Sequence, residues 1–264
     1  METMIEFRHV NKSYGDKPVL KDFNLTVEKG EFVTIIGSSG CGKTTALKMV
    51  NGLLELDGGD IFVYGENIRG KDQTQLRRNI GYAIQGSVLF PHMTVEQNIS
   101  YVPNLLNKKD RKKTRDAVSK WMKIVGLDDE LRSRFPSELS GGQQQRVGIA
   151  RALAASPEIL LMDEPFGAVD EITRGQLQTE IGRIHAQTGI TVMFVTHDIS
   201  EALKLGTKVL VMDKGDIQQY DRPEELLRHP ATDFVKKLVA QQRHACHLPD
   251  DRLEECEYSG VRTC

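Results

Sequence analysis

The segment Gly37-Ser38-Ser39-Gly40-Cys41-Gly42-Lys43-Thr44-Thr45 stands between a strand-like run, residues 31–36, and a stretch with the pattern of a helix, residues 45–53. It matches the phosphate-binding loop at every fixed position: glycine, four variable residues, glycine, lysine and a hydroxyl residue. The glycines of such a loop let backbone N–H groups converge on the β- and γ-phosphates, and the following helix start favours the anion. Lys43 would add a point positive charge, and the Thr44 hydroxyl would ligate Mg²⁺. The segment therefore predicts a strand–loop–helix unit that binds a nucleoside triphosphate.

Two adjacent carboxylates, Asp163 and Glu164, follow a second apolar run, residues 159–162. Carboxylates that close a buried strand are costly unless they meet a cation or transfer protons. We therefore expect Asp163 to hold Mg²⁺ and Glu164 to activate water. Because strands often end in an acid, the pair predicts nucleotide hydrolysis only in company with the phosphate loop.

Strand-like and helical patterns alternate along the rest of the chain. The β-like runs are residues 5–7, 23–27, 61–64, 159–162, 190–195 and 208–212. Helical stretches are residues 95–145, where Gly126 has the place of a C-terminal cap, and the stripe Leu177, Ile181 and Ile184. This order predicts a mainly parallel sheet with helices on its faces and ligands beyond the carboxyl ends of the strands.

Composition excludes several classes of protein. The chain has 264 residues, of which 39% are hydrophobic and 27% charged, as in a globular domain with a subsidiary lobe. Its net charge of −2 does not favour a nucleic-acid partner. We expect no signal peptide, and no apolar run reaches the ~20 residues that cross a bilayer. The four cysteines are too sparse for a disulfide scaffold, so we expect a protein of the cell interior.

The end of the chain loses periodicity from about Ala240, which predicts a loose tail. It carries His244, Cys246, His247, Cys256 and Cys264. Their spacing fits no standard zinc pattern, so we prefer an incidental set of residues to a metal site.

A phosphate loop alone leaves GTPases, kinases and other ATPases open. Asn107-Lys108-Lys109-Asp110 fits the guanine-reading pattern, but it opens a charged helix and does not close a buried strand. No aspartate is followed three residues later by glycine, so the GTPase switch motif is missing as well. The deciding segment is Leu139-Ser140-Gly141-Gly142-Gln143-Gln144-Gln145-Arg146. With the phosphate loop, the carboxylates, Tyr14 and Gln85, it resembles the ATP-binding cassette family over residues 5–238.

The resemblance implies an α/β fold: a P-loop NTPase core with a mainly parallel sheet, an N-terminal antiparallel β subdomain and a helical subdomain. The nucleotide-binding domain would span residues 1–240, with its helical lobe at about 87–145, and a short flexible tail would span 241–264. The resemblance also implies a head-to-tail pair in which each ATP lies between the phosphate loop of one subunit and the signature of the other. Ser140 and the amides of Gly141 and Gly142 support this, because at a helix start they form a second anion site.

The resemblance assigns roles to matched positions. Tyr14 would stack on adenine, Gln85 would sense Mg²⁺ and the attacking water, and His197 would contact the γ-phosphate. Gly167-Ala168-Val169-Asp170 would cross between subunits; it departs from the commoner Ser-Ala-Leu-Asp but keeps Asp170. The expected set is catalytic Glu164, His197 and Gln85; metal-binding Thr44, Gln85 and Asp163; and nucleotide-binding Tyr14, residues 37–45, Ser140, Gly141, Gly142, Gln143 and Asp170.

Within the family, Leu89-Phe90-Pro91-His92-Met93-Thr94 and residues 163–170 look most like importers of betaine, choline or carnitine. The chain would then be their Mg-dependent ATPase, at the inner face of the cell membrane. Its partners would be a second nucleotide-binding subunit, integral-membrane permease subunits and an extracytoplasmic substrate-binding protein or domain. Some such subunits carry a regulatory pair of nucleotide-sensing modules after the cassette, and from the length of this sequence we expect none here.

Other functions are less compatible with the sequence. An importer of an amino acid, a polyamine or an anion stays open. Soluble cassette ATPases of DNA maintenance need a long coiled coil between the phosphate loop and the signature, where this chain has about a hundred residues of mixed pattern. Translation-type proteins carry two cassettes, and each motif occurs once here. A nonenzymatic binding module would need neither Glu164 nor His197.

Overall fold

The structure is a computed structural model that describes residues 2–84, 89–107 and 110–245. Its strands are β1 (Thr3–Tyr14), β2 (Lys17–Glu28), β3 (Phe32–Gly37), β4 (Gly58–Val63), β5 (Glu66–Asn67), β6 (Ile80–Ala83), β7 (Ile159–Asp163), β8 (Thr191–Val195), β9 (Lys208–Asp213) and β10 (Asp216–Asp221). Its helices are α1 (Lys43–Val50), α2 (Gln73–Arg78), α3 (Val95–Leu106), α4 (Arg111–Ile124), α5 (Gly141–Leu153), α6 (Glu171–Thr188), α7 (Ile199–Leu205), α8 (Pro223–Arg228) and α9 (Asp233–Ala245). The chain forms two compact units, Met1–Gly70 with Val192–Cys264, and Lys71–Thr191.

An antiparallel sheet in the order β2-β1-β4-β5 forms the N-terminal part of the first unit. β1 pairs with β2 along one edge and with β4 along the other. Met4, Ile5 and Phe7 of β1 are buried, whereas Glu6 is half-buried and Arg8 is exposed. Phe7 packs edge-to-face on Phe23, with ring centroids 5.2 Å apart. The expected N-terminal antiparallel subdomain is therefore confirmed.

The other strands of this unit lie in the order β10-β9-β3-β8. β3 is parallel to both β8 and β9, which confirms the predicted parallel sheet. The strand begins at Phe32, one residue later than predicted. The Glu31 carboxylate instead accepts a hydrogen bond from the Glu28 N–H (2.9 Å) and pairs with Lys208 Nζ (2.7 Å). β10 is mostly polar, with Asp or Gln at four of its six positions, which explains why the sequence does not predict it.

The second unit joins a parallel strand pair to helices. β6 and β7 pair in parallel from Ile80 and Ile159 onwards. The sequence predicts β7 but misses β6, a short strand interrupted by Gly81. A side chain at Gly81 would place its Cβ 2.4 Å from the Ala152 carbonyl oxygen, so the glycine permits close packing.

Helices α3, α4 and α5 confirm the predicted helical region of the second unit. Along α4 and just beyond it, one face is apolar and buried at Val118, Trp121, Met122 and Val125. Gly126 follows with a left-handed φ of 65°, as expected at the end of a helix. The boundaries of a helical lobe at about 87–145 stay a prediction.

The C-terminal helix α9 reaches into the region where the sequence predicts a loose tail. The tail is predicted to begin at about Ala240, and α9 continues to Ala245. Val235 and Val239 bury its inner face, and Gln242 Nε2 donates to Ser200 Oγ (2.9 Å) on α7. Cys246, His247, Cys256 and Cys264 lie outside the described residues, where the tail stays a prediction. Among the described helices, none is long and apolar enough to cross a membrane.

Candidate nucleotide site

The phosphate loop connects β3 to α1 in the first unit. Gly37 ends β3 with a φ of 150°, and a Cβ there would lie 1.9 Å from the Met212 carbonyl oxygen. Gly42 caps α1 with a φ of 106°, and a Cβ there would lie 2.7 Å from Leu20 Cδ2. Both positions therefore require glycine. The loop can follow its tight path only because these side chains are missing.

Lys43 lies within this loop. Its Nζ donates hydrogen bonds to the carbonyl oxygens of Gly37 and Ser38, at 2.9 Å each. The ammonium is thus held beside the backbone that would surround a phosphate, and the N-terminus of α1 adds positive potential. Cys41 is 1% exposed, and its thiol is part of the packing of the loop.

A side chain that sequence reasoning missed supports the loop. Asp213 ends β9, and its Oδ1 accepts a 2.6 Å hydrogen bond from Ser38 Oγ. The two residues are distant in the chain, and the parallel pairing of β3 with β9 brings them together. Nothing in the sequence around Asp213 marks this contact.

Tyr14 and His197 also belong to the first unit. Tyr14 ends β1 and is 51% exposed, so its ring is open to a planar partner. His197 follows β8 and is exposed. The flanking turn is well fixed: Thr196 Oγ1 donates to Glu201 Oε2 (2.6 Å), and Asp198 accepts from the Ser200 N–H (2.7 Å) to cap α7.

The acidic end of β7 lies in the second unit. Asp163 is 1% exposed, and Glu164 has a left-handed φ of 46°, which is strained for a residue with a side chain. On the neighbouring strand, burial and the negative charge of Asp163 raise the pKa of the Tyr82 hydroxyl. That hydroxyl is buried and has no hydrogen-bond partner among the residues that the structure describes. A buried carboxylate at the end of a strand fits a cation, and carboxylate oxygens are donors that suit Mg²⁺.

The signature forms the start of α5 in the second unit. Ser140 and Gln143 cap each other: Gln143 N–H donates to Ser140 Oγ (3.2 Å), and Ser140 N–H donates to Gln143 Oε1 (2.9 Å). The N–H groups of Gly141 and Gly142 have no acceptor within the helix. They therefore present positive potential at its N-terminus, as an anion site requires.

Gln145, which sequence reasoning missed, ties the signature helix to the acidic segment. Its Nε2 donates to the Glu164 carbonyl oxygen (3.2 Å), and its Oε1 accepts from the Ala168 N–H (2.9 Å). A run of three glutamines gives no sign of which one is buried. Further along, Asp170 accepts from the Thr173 N–H (2.9 Å) and caps α6, and this hydrogen bond lowers the pKa of its carboxyl.

The expected site residues are thus divided between the two units. The first carries Tyr14, residues 37–45 and His197, and the second carries Asp163, Glu164, Ser140, Gly141, Gly142, Gln143 and Asp170. Gln85 lies outside the described residues. The roles assigned to these side chains stay predictions.

Comparison with known proteins agrees with this set of features. A family model described as "ABC transporter" matches residues 20–167. The glycine betaine uptake system ATP-binding protein YehX of Escherichia coli (strain K12) is 51% identical over 245 residues, 93% of this chain and 79% of YehX. The carnitine transport ATP-binding protein OpuCA of Listeria monocytogenes is 48% identical over 94% of this chain. The chain spans only 62% of the length of that relative.

A solved structure shares the fold. It is a dimeric, post-hydrolysis state of the ATP-binding cassette MJ0796 bound to ADP and Pi. It matches with a TM-score of 0.78 and 32% identity over 83% of this chain and 99% of the other. With the family model and the relatives above, these results show that this chain belongs to the ABC transporter family.

Proposed function

We propose that this chain is the ATP-hydrolysing subunit of an ABC importer for a small quaternary-ammonium osmoprotectant. The observation that carries the ATPase is the phosphate loop, in which Lys43 Nζ is held by the Gly37 and Ser38 carbonyls at the start of α1. The solute class is supported by two relatives, whose names state glycine betaine uptake and carnitine transport.

The proposed reaction is an in-line displacement at the γ-phosphorus. A water oxygen bonds to the γ-phosphorus, the bond to the β,γ-bridging oxygen breaks, and Glu164 accepts the proton of the water. The Thr44 hydroxyl and the Asp163 carboxylate would hold Mg²⁺, which neutralises phosphate charge when bound. Lys43 binds the phosphates, and His197, fixed by its capped turn, contacts the γ-phosphate.

The remaining groups would come from partners. Ser140, Gly141 and Gly142 of a second copy would close the site over the γ-phosphate and exclude water. Permease subunits would receive the resulting movement, with Gln85 as the sensor, and an extracytoplasmic substrate-binding protein or domain would deliver the solute. The chain would act in the cytoplasm, attached to the inner face of the membrane through the permease.

Replacing Glu164 tests the assignment of the general base. Glu164→Gln should bind ATP as the wild type does and lose about 10²–10⁴-fold in turnover, since it removes only the proton acceptor. Lys43→Ala is the control that should lose binding itself. Equilibrium binding and phosphate release measure the two effects, and near-normal turnover in Glu164→Gln would reject the assignment.

Uptake by the assembled system tests the solute. The proteins that co-purify with the chain are reconstituted in vesicles with internal ATP, and radiolabelled glycine betaine and putrescine are offered separately. We expect uptake of glycine betaine alone, and none with the Glu164→Gln subunit. Uptake of putrescine alone would favour another importer, and an active ATPase without any membrane partner would favour a soluble cassette ATPase.

A further inference from the structure

We propose that Lys12 and Asp57 are positioning residues that orient the Tyr14 ring and thereby set the affinity of the site for the nucleotide base. The inference rests on the proposed function, because it requires Tyr14 to stack on the base of ATP. It concerns a part of the first unit that neither the phosphate loop nor the carboxylates explain.

Asp57, the residue before β4, continues the pairing of β4 with β1. β4 begins at Gly58, which pairs with Asn11 of β1, and the Asp57 N–H donates to the Asn11 carbonyl oxygen (3.0 Å). Past that point β1 has no further residue of β4 beside it. The Asp57 carboxylate replaces the missing strand, since its Oδ2 accepts the Ser13 N–H at 2.7 Å. The backbone of β1 at Ser13, directly before Tyr14, is therefore fixed by the Asp57 side chain.

The other oxygen of the same carboxylate holds Lys12. Lys12 Nζ lies 2.7 Å from Asp57 Oδ1, and the lysine side chain is only 14% exposed. The Lys12 ammonium and the Ser13 N–H lower the pKa of the Asp57 carboxyl, because both stabilise its ionised form. The ammonium is thus held in one place beside the strand end.

That place is over the Tyr14 ring. Lys12 Nζ lies 5.8 Å from the ring centroid, within the distance at which a cation attracts an aromatic face. The ring is still 51% exposed, so it can be held from one side and remain open to a planar base. Since a stacked aromatic partner must keep a defined plane, restricting the ring in advance lowers the entropy cost of binding.

The Lys12–Asp57 pair is also connected to the phosphate loop through the chain. Lys43 begins α1, and the helix closes with Gly52 at a φ of 61° and a Leu53 N–H to Lys48 carbonyl bond of 2.8 Å. Residues 54–56 then lead to Asp57. Phosphate binding at one end of this segment and base binding at the other are therefore separate events that different probes can report.

The test compares ATP with inorganic tripolyphosphate, which engages the phosphate loop but has no base. Equilibrium binding of both is measured by calorimetry on the full chain. Lys12→Met should weaken ATP binding about two- to five-fold, the size of a cation–π contact to a half-exposed ring, and leave tripolyphosphate binding unchanged. Lys12→Arg should restore ATP binding. Lys17→Met, which removes an exposed lysine beside Tyr14 on β2, is the matched control for general charge and should change neither.

A double-mutant cycle separates positioning from a structural role. In a Tyr14→Ala background, Lys12→Met should have no further effect on ATP binding, because the ring through which it acts is absent. Asp57→Asn keeps an acceptor for the Ser13 N–H and weakens the ion pair, so it should weaken ATP binding as Lys12→Met does. It replaces Lys12→Met in the test if Lys12→Met does not fold.

Three results would overturn the inference. The first is that Lys12→Met weakens the binding of ATP and of tripolyphosphate equally. The second is that the effects of Lys12→Met and Tyr14→Ala on ATP binding are additive. The third is that Lys12→Met leaves ATP binding unchanged although Tyr14→Ala weakens it. Wild-type protein that binds no ATP would instead overturn the proposed function, and this inference with it.

Discussion

Glu164 is the residue at which backbone strain and proposed chemistry coincide. Its φ of 46° lies in the left-handed region, which costs a residue with a side chain about 1–3 kcal/mol. Its carbonyl oxygen accepts from Gln145 Nε2 (3.2 Å) and from the Gly167 N–H (3.3 Å), so neighbours hold the strained form. The sequence predicts the role of Glu164 from its neighbour Asp163, but not its backbone, because that depends on Gln145.

Tyr82 and Tyr220 are half-buried tyrosines whose hydroxyls differ in their hydrogen-bond partners. No hydrogen-bond partner of Tyr82 is found within the described residues, whereas Tyr220 Oη contacts the Thr26 carbonyl and Glu31 Oε2, at 3.2 Å each. Tyr82→Phe should therefore leave the free energy of unfolding at pH 7 unchanged or raised. Tyr220→Phe should lower it by about 1 kcal/mol. Urea unfolding measures both, and a larger loss in Tyr82→Phe would contradict the contrast.

The same comparison has a pH dependence. Burial is the main cause that raises the pKa of each hydroxyl above its ordinary value of about 10. Below that value both states hold the proton, so stability is unaffected. As the pH rises further, the unfolded chain loses its proton first, and the stability that depends on the neutral hydroxyl is lost. Each Phe variant should therefore lose less stability than the wild type between about pH 10 and 11.

At the scale of elements, α3 fixes the segment 89–94 through one side chain. Asn98 is fully buried and donates to the carbonyls of Phe90 (3.2 Å), Met93 (3.0 Å) and Thr94 (3.0 Å). Its Oδ1 accepts the Phe90 N–H at 2.9 Å. A segment without regular structure is thereby held rigid, which suits a surface that transmits movement to another protein.

We expect a permease to contact the outer side of this segment. Phe90 is half-buried, with its ring 4.9 Å from the Tyr101 ring and 5.4 Å from the Arg151 guanidinium, so replacing it would also disturb packing. Exposed His92 is the cleaner position. His92→Asp should lose co-purification of membrane subunits and keep basal ATPase activity and thermal stability. Tyr64, outside the segment, supplies the control variant Tyr64→Asp, which should co-purify normally. Normal co-purification of His92→Asp would place docking elsewhere.

Strand burial explains how much of the fold could be predicted. β3, β7 and β8 are buried on both faces and carry continuous apolar runs, so the sequence reveals them. β6 is short and β10 is mostly polar, and both strands form because they pair with neighbouring strands. The local sequence pattern therefore does not reveal them. The phosphate loop, Asp163 and the signature could be predicted because each is one contiguous motif.

Contacts between distant residues could not be predicted in the same way. Ser38 meets Asp213 only after β3 and β9 pair, and Lys12 meets Asp57 only after β1 and β4 pair. Each contact supports a motif that the sequence does reveal. The motifs therefore indicate the chemistry, and the long-range hydrogen bonds that hold them in place require the structure.

On the scale of the whole molecule, hydrolysis should require two copies of the chain. The phosphate loop binds phosphates from one side, and the N–H groups of Gly141 and Gly142 form a separate anion site at the start of α5. In the proposed dimer, the phosphate loop of one copy closes against the start of α5 of the other, which excludes water and strengthens each electrostatic contact. Activity per subunit should therefore rise with protein concentration.

Ser140 offers the sharpest test of this composite site. Ser140→Asp keeps a side-chain cap for the Gln143 N–H but sets a negative charge against the γ-phosphate, so it should bind ATP and fail to hydrolyse it. Ser140→Asn caps α5 without the charge and should keep measurable turnover. Mixing Ser140→Asp with Lys43→Ala creates one site with an intact loop and an intact signature, which should restore part of the activity. Phosphate release measured across dilution decides the matter: full activity of Ser140→Asp at concentrations where only monomers exist would exclude the composite site.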